Sequence, residues 1–239
     1  MSCKICGSQD VFQFMKGIYD CNKTEVMECK NCEVRFLDPI MDLDEEANYY
    51  KNYYRSQEER YVVKSTLNDI QNGSYEFHKS HIDHYSKYFT STSKALEIGA
   101  GTGGMLRLLH DDLQVKNISA VEKSESNISF LKDHFDSVSL YYDISEIKHK
   151  KYDVIISHAL FEHLREPKDF LLEMKSMLNP DGYLIMEMPN KREPLIDILE
   201  IDEFKKFTYQ KQHYFTYNER SLSVLAEAAS LNIDNFYYY

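Results

Sequence analysis

The fold of this chain is decided by the stretch from Lys94 to Gly104, which reads KALEIGAGTGG. Its apolar first half predicts a buried β-strand, and its glycines predict a tight turn that leads into a helix. A strand, a glycine loop and a helix start in this order bring backbone N–H groups close to a bound ligand. The loop alone is typical of many nucleotide-binding proteins, so its neighbours must identify the ligand.

Short apolar segments alternate with amphipathic helical segments on the C-terminal side of this loop. Predicted strands cover residues 95–98, 118–121, 137–141, 154–157 and 183–188, with a last one at 233–239. Alternation at this spacing predicts an α/β fold, a doubly wound and mostly parallel Rossmann-like sheet with helices on both faces. Residues 191–212 interrupt the alternation, and we expect an amphipathic insert there that covers a site.

Acidic residues stand at the ends of three successive predicted strands. Glu97 lies two positions before the first glycine, where a carboxylate attracts an ammonium group and repels a pyrophosphate. Glu122 ends the next strand, where it can accept hydrogen bonds from both ribose hydroxyls, and Asp143 follows the third, beside the place of an adenine amino group. Three carboxylates in this order favour a cationic amino-acid nucleoside, and S-adenosylmethionine fits that description.

The first 40 residues contain two C-x-x-C pairs, a pattern typical of a metal site. Each pair presents two thiolates toward one ion, and two pairs complete a closed tetrahedral shell. A segment this short also needs a bound metal ion of this kind to fold. We therefore predict a structural Zn²⁺ ion, with Cys21 left as a free thiol. The predicted ligands are Cys3, Cys6, Cys29 and Cys32.

Composition excludes several classes of protein. Of the 239 residues, 43% are hydrophobic and 28% are charged, which argues for a globular chain and against disorder. The formal net charge of −11 disfavours nucleic acid and anionic membrane surfaces as partners. The sequence has neither an apolar run of membrane-spanning length nor a signal-peptide pattern, so we predict a cytoplasmic protein. Its oligomeric state is left open.

Taken together, these motifs resemble those of the class I S-adenosylmethionine-dependent methyltransferases. They are LEIGAGTG at 96–103, VEKS at 121–124, YDI at 142–144, YDVIISHALFEHL at 152–164, LNPDGYLIMEMPN at 178–190 and QHYFT at 212–216. With the cysteine module in front, the chain resembles a subgroup that has an N-terminal zinc-binding domain. That subgroup includes sugar methyltransferases of surface-polysaccharide and natural-product pathways. The resemblance implies a small-molecule acceptor, a sugar or a nucleotide-linked sugar, methylated on oxygen or carbon.

The resemblance also implies which residues bind the cofactor. The loop that wraps its methionine end consists of Gly99, Ala100, Gly101, Thr102 and Gly103. Glu97 is implied to hold the amino group, and Glu122 the ribose. The remaining implied contacts are Asp143 and Ile144 with the adenine, and His158 beside the methionine moiety.

Methyl transfer is an in-line displacement at an activated carbon, so the protein contributes mostly by positioning the reactants. A hydroxyl or acidic C–H acceptor also needs a general base, and histidine suits this role near neutral pH. His163, after the fourth strand, and His213, after the insert, are the two candidates, and a structural role is open for each. Related ubiquinone-pathway enzymes carry a metal-binding acid where Ala159 stands, so that metal site is incomplete here.

The pattern divides the chain into three parts. They are a four-cysteine module at 1–40, a helical linker or cap at 41–92, and a methyltransferase domain at 93–239 with the insert 191–212. His78, His81 and His84 have near-helical spacing in the middle part. Because no fourth metal ligand lies nearby in the sequence, we expect them on a solvated helix face.

Two other functions stay open. An RNA base methyltransferase with a zinc ribbon is one, although acidic side chains outnumber basic ones in residues 1–40. A non-catalytic binding module of the same fold is the other. The intact glycine loop with Glu97 and Glu122 argues against that second alternative.

Overall fold

The structure is a computed structural model that describes residues 1–19, 21–52 and 66–238. The predicted linker or cap at 41–92 therefore lies partly outside the described residues, and the three-part division stays a prediction. The chain forms two compact units. The first comprises residues 1–57, 161–172 and 188–239, and the second comprises residues 58–160 and 173–187.

The described residues form nine strands and nine α-helices, which we number in chain order. The strands are β1 (Val11–Ile18), β2 (Cys21–Cys29), β3 (Arg35–Asp38), β4 (Lys94–Ile98), β5 (Asn117–Val121), β6 (Ser139–Tyr141), β7 (Tyr152–His158), β8 (Leu178–Glu187) and β9 (Phe215–Thr216). The helices are α1 (Leu43–Asn52), α2 (Leu67–Ser80), α3 (Ile82–Tyr85), α4 (Gly104–Arg107), α5 (Glu125–His134), α6 (Pro167–Met177), α7 (Pro194–Asp197), α8 (Asp202–Thr208) and α9 (Glu219–Ala228). In the part of the chain that the structure describes, no helix combines the length and apolar character needed to cross a bilayer.

The second unit contains a five-stranded parallel sheet in the order β6-β5-β4-β7-β8, as the alternation of strands and helices predicts. Its apolar core includes Ala95, Val154 and Ile156 from the sheet. Strand order reverses at β4, because the chain moves outward to β5 and β6 on one side and later fills β7 and β8 on the other. Ligands bind at the carboxyl ends of the strands at such a switch point, and the glycine loop follows β4 there.

The first unit contains a four-stranded antiparallel sheet in the order β1-β2-β3-β9. Strands β1 and β2 form a hairpin that starts after the first cysteine pair and ends at Cys29, the first residue of the second pair. The short strand β9 pairs with β3, with Arg35 opposite Thr216 and Phe36 opposite Phe215. A segment from late in the sequence thus completes the sheet of the cysteine module, and the insert contributes α7 and α8 to the same unit.

The predicted last strand at 233–239 is wrong over its described residues, 233–238, which adopt no regular secondary structure. The reason lies in a polar side chain within the segment. The Phe236 backbone N–H donates to the Asn235 side-chain oxygen at 2.9 Å, a local bond that competes with pairing to a neighbouring strand.

Candidate functional site

The glycine loop after β4 has the backbone conformation that its composition predicts. Gly99, Gly101 and Gly103 have φ angles of 78°, 54° and 81°, in the left-handed region that favours glycine. A Cβ added at Gly103 would lie 2.6 Å from Leu131, so that glycine allows α5 to pack against the loop. A Cβ added at Gly101 would meet no atom within 4 Å. Gly101 therefore borders open space, where a ligand can approach the backbone.

Glu122, at the end of β5, is hydrogen-bonded to the loop itself. Its Oε2 accepts from the Gly101 N–H at 2.8 Å, and its Oε1 accepts from the Ser124 N–H at 2.7 Å. Each carboxylate oxygen has two lone pairs, so both can accept a further hydrogen bond from a diol. The side-chain amide of Gln71 supports the loop from α2 by donating to the Thr102 carbonyl at 2.9 Å. No local pattern in the sequence indicates this contact.

Glu97 is a buried carboxylate at the end of β4, with 3% of its surface exposed. Its Oε1 lies 3.8 Å from His158 Nδ1, and its Oε2 is buried without a hydrogen-bond partner. Burial raises the pKa of Glu97 because the charged form loses its hydration. An unsatisfied buried oxygen is costly, so the site fits a ligand that brings a strong donor such as an ammonium group.

Asp143 and Ile144 follow β6, the strand next to β5. The Asp143 carboxylate caps a short helical turn by accepting from the Ser145 N–H at 2.9 Å. Hydrogen bonds from the side chain and then the backbone of Ser145 lower the pKa of Asp143. Glu97, Glu122 and Asp143 therefore stand at the carboxyl ends of three adjacent strands, β4, β5 and β6.

His158 ends β7 and lies in a buried group of titratable side chains. Its ring centroid is 4.3 Å from that of His78, and its Nε2 is 3.8 Å from Glu187 Oε2. The predicted solvated helix face is wrong for His78, which belongs to the buried stripe of α2 with Gln71 and Tyr75. Burial lowers the pKa of His78 to about 3. The spacing of that stripe, at positions i, i+4 and i+7, is the sequence signal that was missed.

The two candidate base residues, His163 and His213, come together in the first unit, although they lie in separate segments of the sequence. Their ring centroids are 5.0 Å apart, and His163 Nε2 lies 3.9 Å from Glu162 Oε1. Burial lowers the pKa of His163 to about 3, with a contribution from the neighbouring His213, and burial also lowers the pKa of His213. Both imidazoles are therefore neutral at pH 7, the form that can accept a proton.

His213 is oriented by a backbone hydrogen bond. Its Nδ1 lies 2.7 Å from the Thr208 carbonyl oxygen. A carbonyl can only accept, so Nδ1 carries the hydrogen and Nε2 presents a lone pair. On the adjacent residue, the Gln212 side-chain oxygen accepts from the Tyr49 hydroxyl at 2.8 Å. This pair holds the segment that carries His213.

The four predicted zinc ligands form one cluster in the first unit. The sulfurs of Cys3 and Cys32 are 3.5 Å apart, those of Cys6 and Cys29 are 3.6 Å apart, and all four lie within 4.8 Å of one another. A tetrahedral ion with Zn–S bonds of about 2.3 Å requires sulfurs about 3.8 Å apart, so the geometry fits Zn²⁺. A hydrogen bond with Cys32 lowers the pKa of Cys3 to about 5. None of the five cysteines is in a disulfide, and Cys21 lies outside the cluster.

Comparison with known proteins gives matches in sequence and in fold. Residues 72–235 match a family described as "Methyltransferase domain". A malonyl-(acyl-carrier protein) O-methyltransferase from Anoxybacillus flavithermus is 33% identical over 94 residues. The match covers 38% of this chain, and the chain spans only 36% of that relative's length.

Two solved structures have a similar fold. A SAM-dependent methyltransferase from Archaeoglobus fulgidus matches with a TM-score of 0.54 and 21% identity over 74% of each chain. The plantazolicin methyltransferase BpumL, in complex with a monoazolic desmethylPZN analog and SAH, matches with a TM-score of 0.53 and 16% identity. That match covers 77% of this chain and 72% of BpumL. At this level of identity both similarities establish the fold, which is Rossmann-like.

Proposed function

The chain belongs to the methyltransferase domain family, and from that premise we propose that it transfers a methyl group from S-adenosylmethionine to a small molecule. The observation that carries the proposal is the glycine loop after β4 together with carboxylates at the ends of three adjacent strands. Bound there, S-adenosylmethionine supplies a methyl group activated by its sulfonium sulfur.

The roles of the cofactor site follow from charge and position. Glu97 accepts a hydrogen bond from the ammonium group of the cofactor. This group provides the hydrogen-bond donor that the buried Oε2 of Glu97 lacks. Glu122 accepts from the ribose hydroxyls while its bonds to backbone N–H groups hold it in place. Asp143 and Ile144 contact the adenine. The assignment is completed by Gly99, Ala100, Gly101, Thr102 and Gly103 around the methionine end, with His158 beside it.

The proposed acceptor is a sugar or a nucleotide-linked sugar, methylated on oxygen or carbon. This part rests on the sequence motifs shared with sugar methyltransferases and on the four-cysteine module at 1–40. His163 and His213 are the candidate bases that remove the acceptor proton, and their burial keeps both in the neutral form. The malonyl-(acyl-carrier protein) relative acts, by its name, on a different kind of acceptor. The acceptor class therefore needs a direct test.

That test follows a methyl label from the cofactor to its acceptor. The purified chain is incubated with methyl-labelled S-adenosylmethionine and either the small-molecule and nucleotide-sugar pool or the total RNA of a cell extract. We expect label in the small-molecule pool, and mass analysis of the labelled compound then identifies the acceptor. Label in RNA would support an RNA methyltransferase instead. Cofactor binding without label in either pool would support a non-catalytic binding module.

The cysteine cluster is proposed to hold one structural Zn²⁺ ion, because four thiolates leave no open coordination position for chemistry. We expect Cys3→Ser to remove one zinc ion per chain and to lower the melting temperature, since the ion stabilises the folded form. Zinc content by plasma mass spectrometry and thermal melting measure the two effects. Cys21→Ser is the matched control, because Cys21 lies outside the cluster. Equal zinc loss from both variants would contradict the assignment, and so would the absence of zinc loss from both.

A further inference from the structure

Polar side chains replace apolar ones at the carboxyl ends of three adjacent strands in the second unit. Side chains alternate along a strand, so Glu97 lies on the same face of β4 as the core residue Ala95, and His158 on the same face of β7 as Ile156. Glu187 stands directly opposite His158 in the pairing of β7 with β8. One face of the sheet therefore ends in Glu97, His158 and Glu187, side by side.

Helix α2 adds a second histidine to this polar group. His78 is 5% exposed, and its ring lies 4.3 Å from the ring of His158. One nitrogen from each histidine and one Glu187 oxygen all lie within 4.8 Å of one another. Such a cluster, drawn from one helix and two strands, has the dimensions of a metal site.

The polar atoms of this cluster lack hydrogen-bond partners. They are His78 Nδ1, both ring nitrogens of His158, and Glu187 Oε2, all of them buried. Buried polar atoms in folded proteins are almost always satisfied, so several unsatisfied atoms in one place indicate a missing ligand. Two imidazoles and one carboxylate are a donor set that suits divalent first-row transition metals. We propose that His78, His158 and Glu187 bind a divalent transition metal ion.

The arrangement also places a carboxylate beside the second ring nitrogen of His158. The Nε2 atom of His158 faces Glu187 at 3.8 Å, while its Nδ1 faces Glu97 Oε1, also at 3.8 Å. When Nε2 binds the metal, Nδ1 carries a hydrogen on the side of Glu97, and closing the 3.8 Å separation to a hydrogen bond would complete the carboxylate–histidine–metal arrangement found in many metal sites. The two positive charges of the ion also offset the negative charges of Glu97 and Glu187. The metal then helps to hold the carboxylate that we assign to the cofactor ammonium group.

Metal content tests this site independently of methyl transfer. The purified chain is stripped with a chelator, reloaded with Zn²⁺, dialysed and analysed by plasma mass spectrometry. We expect two zinc ions per chain, one in the cysteine cluster and one here. The His78→Gln and Glu187→Gln variants should each bind one zinc ion per chain. His81→Gln, which changes a neighbouring histidine outside the cluster, should bind two.

Cobalt distinguishes the two sites in the same samples. Cobalt bound by thiolates gives sulfur-to-metal charge-transfer absorption, whereas cobalt bound by imidazole and carboxylate does not. The Cys3→Ser variant should therefore bind one cobalt ion per chain, and that ion should show no charge-transfer absorption. Circular dichroism checks that each variant is folded. Because two ligand residues are changed in separate variants, the test still stands if one variant does not fold. One zinc per wild-type chain, or two zinc ions retained in both ligand variants, would overturn the proposal. A failure to transfer methyl groups would leave these counts unchanged.

Discussion

Gly101→Arg is expected to abolish binding of S-adenosylmethionine while the chain stays folded. A side chain at this position enters the open space beside the loop, where no atom lies within 4 Å of the added Cβ. The arginine fills the volume assigned to the cofactor, and its charge pairs with Glu122, whose Oε2 already contacts the Gly101 N–H. The positive φ of Gly101 adds strain on the order of 1 kcal/mol, small beside a typical stability of about 5–15 kcal/mol.

Calorimetric titration with S-adenosylmethionine measures this loss, and we expect the Kd to rise by on the order of 100-fold or more, equivalent to about 2.7 kcal/mol. Gly73→Arg is the matched control. Gly73 lies on an exposed position of α2, where an added Cβ also meets nothing within 4 Å and φ is not positive. Circular dichroism establishes that both variants are folded. A Kd for Gly101→Arg within a few-fold of the wild-type value would contradict the cofactor assignment.

Local sequence patterns predict the part of the molecule that surrounds the glycine loop. Apolar runs fix β4, β5 and β7 because these strands are buried, and a buried parallel strand needs apolar residues along most of its length. Once the strands are fixed, the carboxyl ends of neighbouring parallel strands must meet at one edge. The positions of Glu97, Glu122 and Asp143 therefore follow from residues that precede each of them in the sequence.

Long-range pairing is what the sequence does not predict. Strand β9 has two residues, too few to show a period, and it pairs with β3 because Phe36 and Phe215 both lie in the buried core of the first unit. The approach of His163 to His213 follows from the same tertiary packing. Conversely, residues 233–238 have strand-like composition but form a local side-chain hydrogen bond instead.

Removal of the general base is the second large effect that we expect. We assign the base to His213, because its Nδ1–H is held by the Thr208 carbonyl and its Nε2 is left as the acceptor. His213→Ala should lower kcat by about 10²–10⁴-fold, the usual contribution of a positioned base, with no change in the Kd for S-adenosylmethionine. His163→Ala should have a smaller effect, because His163 acts through its contact with His213. His149→Ala, which changes an exposed histidine outside this pair, should have no effect on kcat.

The pH profile separates a buried base from an ordinary one. Burial lowers the pKa of His213, and that of its neighbour His163 to about 3, because the charged imidazolium loses its hydration. A lowered pKa means that protonation of His213 requires more acidic solution than an ordinary histidine does, so the base stays available as the pH falls through the ordinary histidine range. The fall of wild-type kcat in acid should therefore have its midpoint below the ordinary histidine pKa of about 6.5. A tenfold fall with a midpoint near the ordinary histidine pKa of about 6.5 would contradict the buried base. Less than a tenfold loss in both His163→Ala and His213→Ala would exclude histidine as the base.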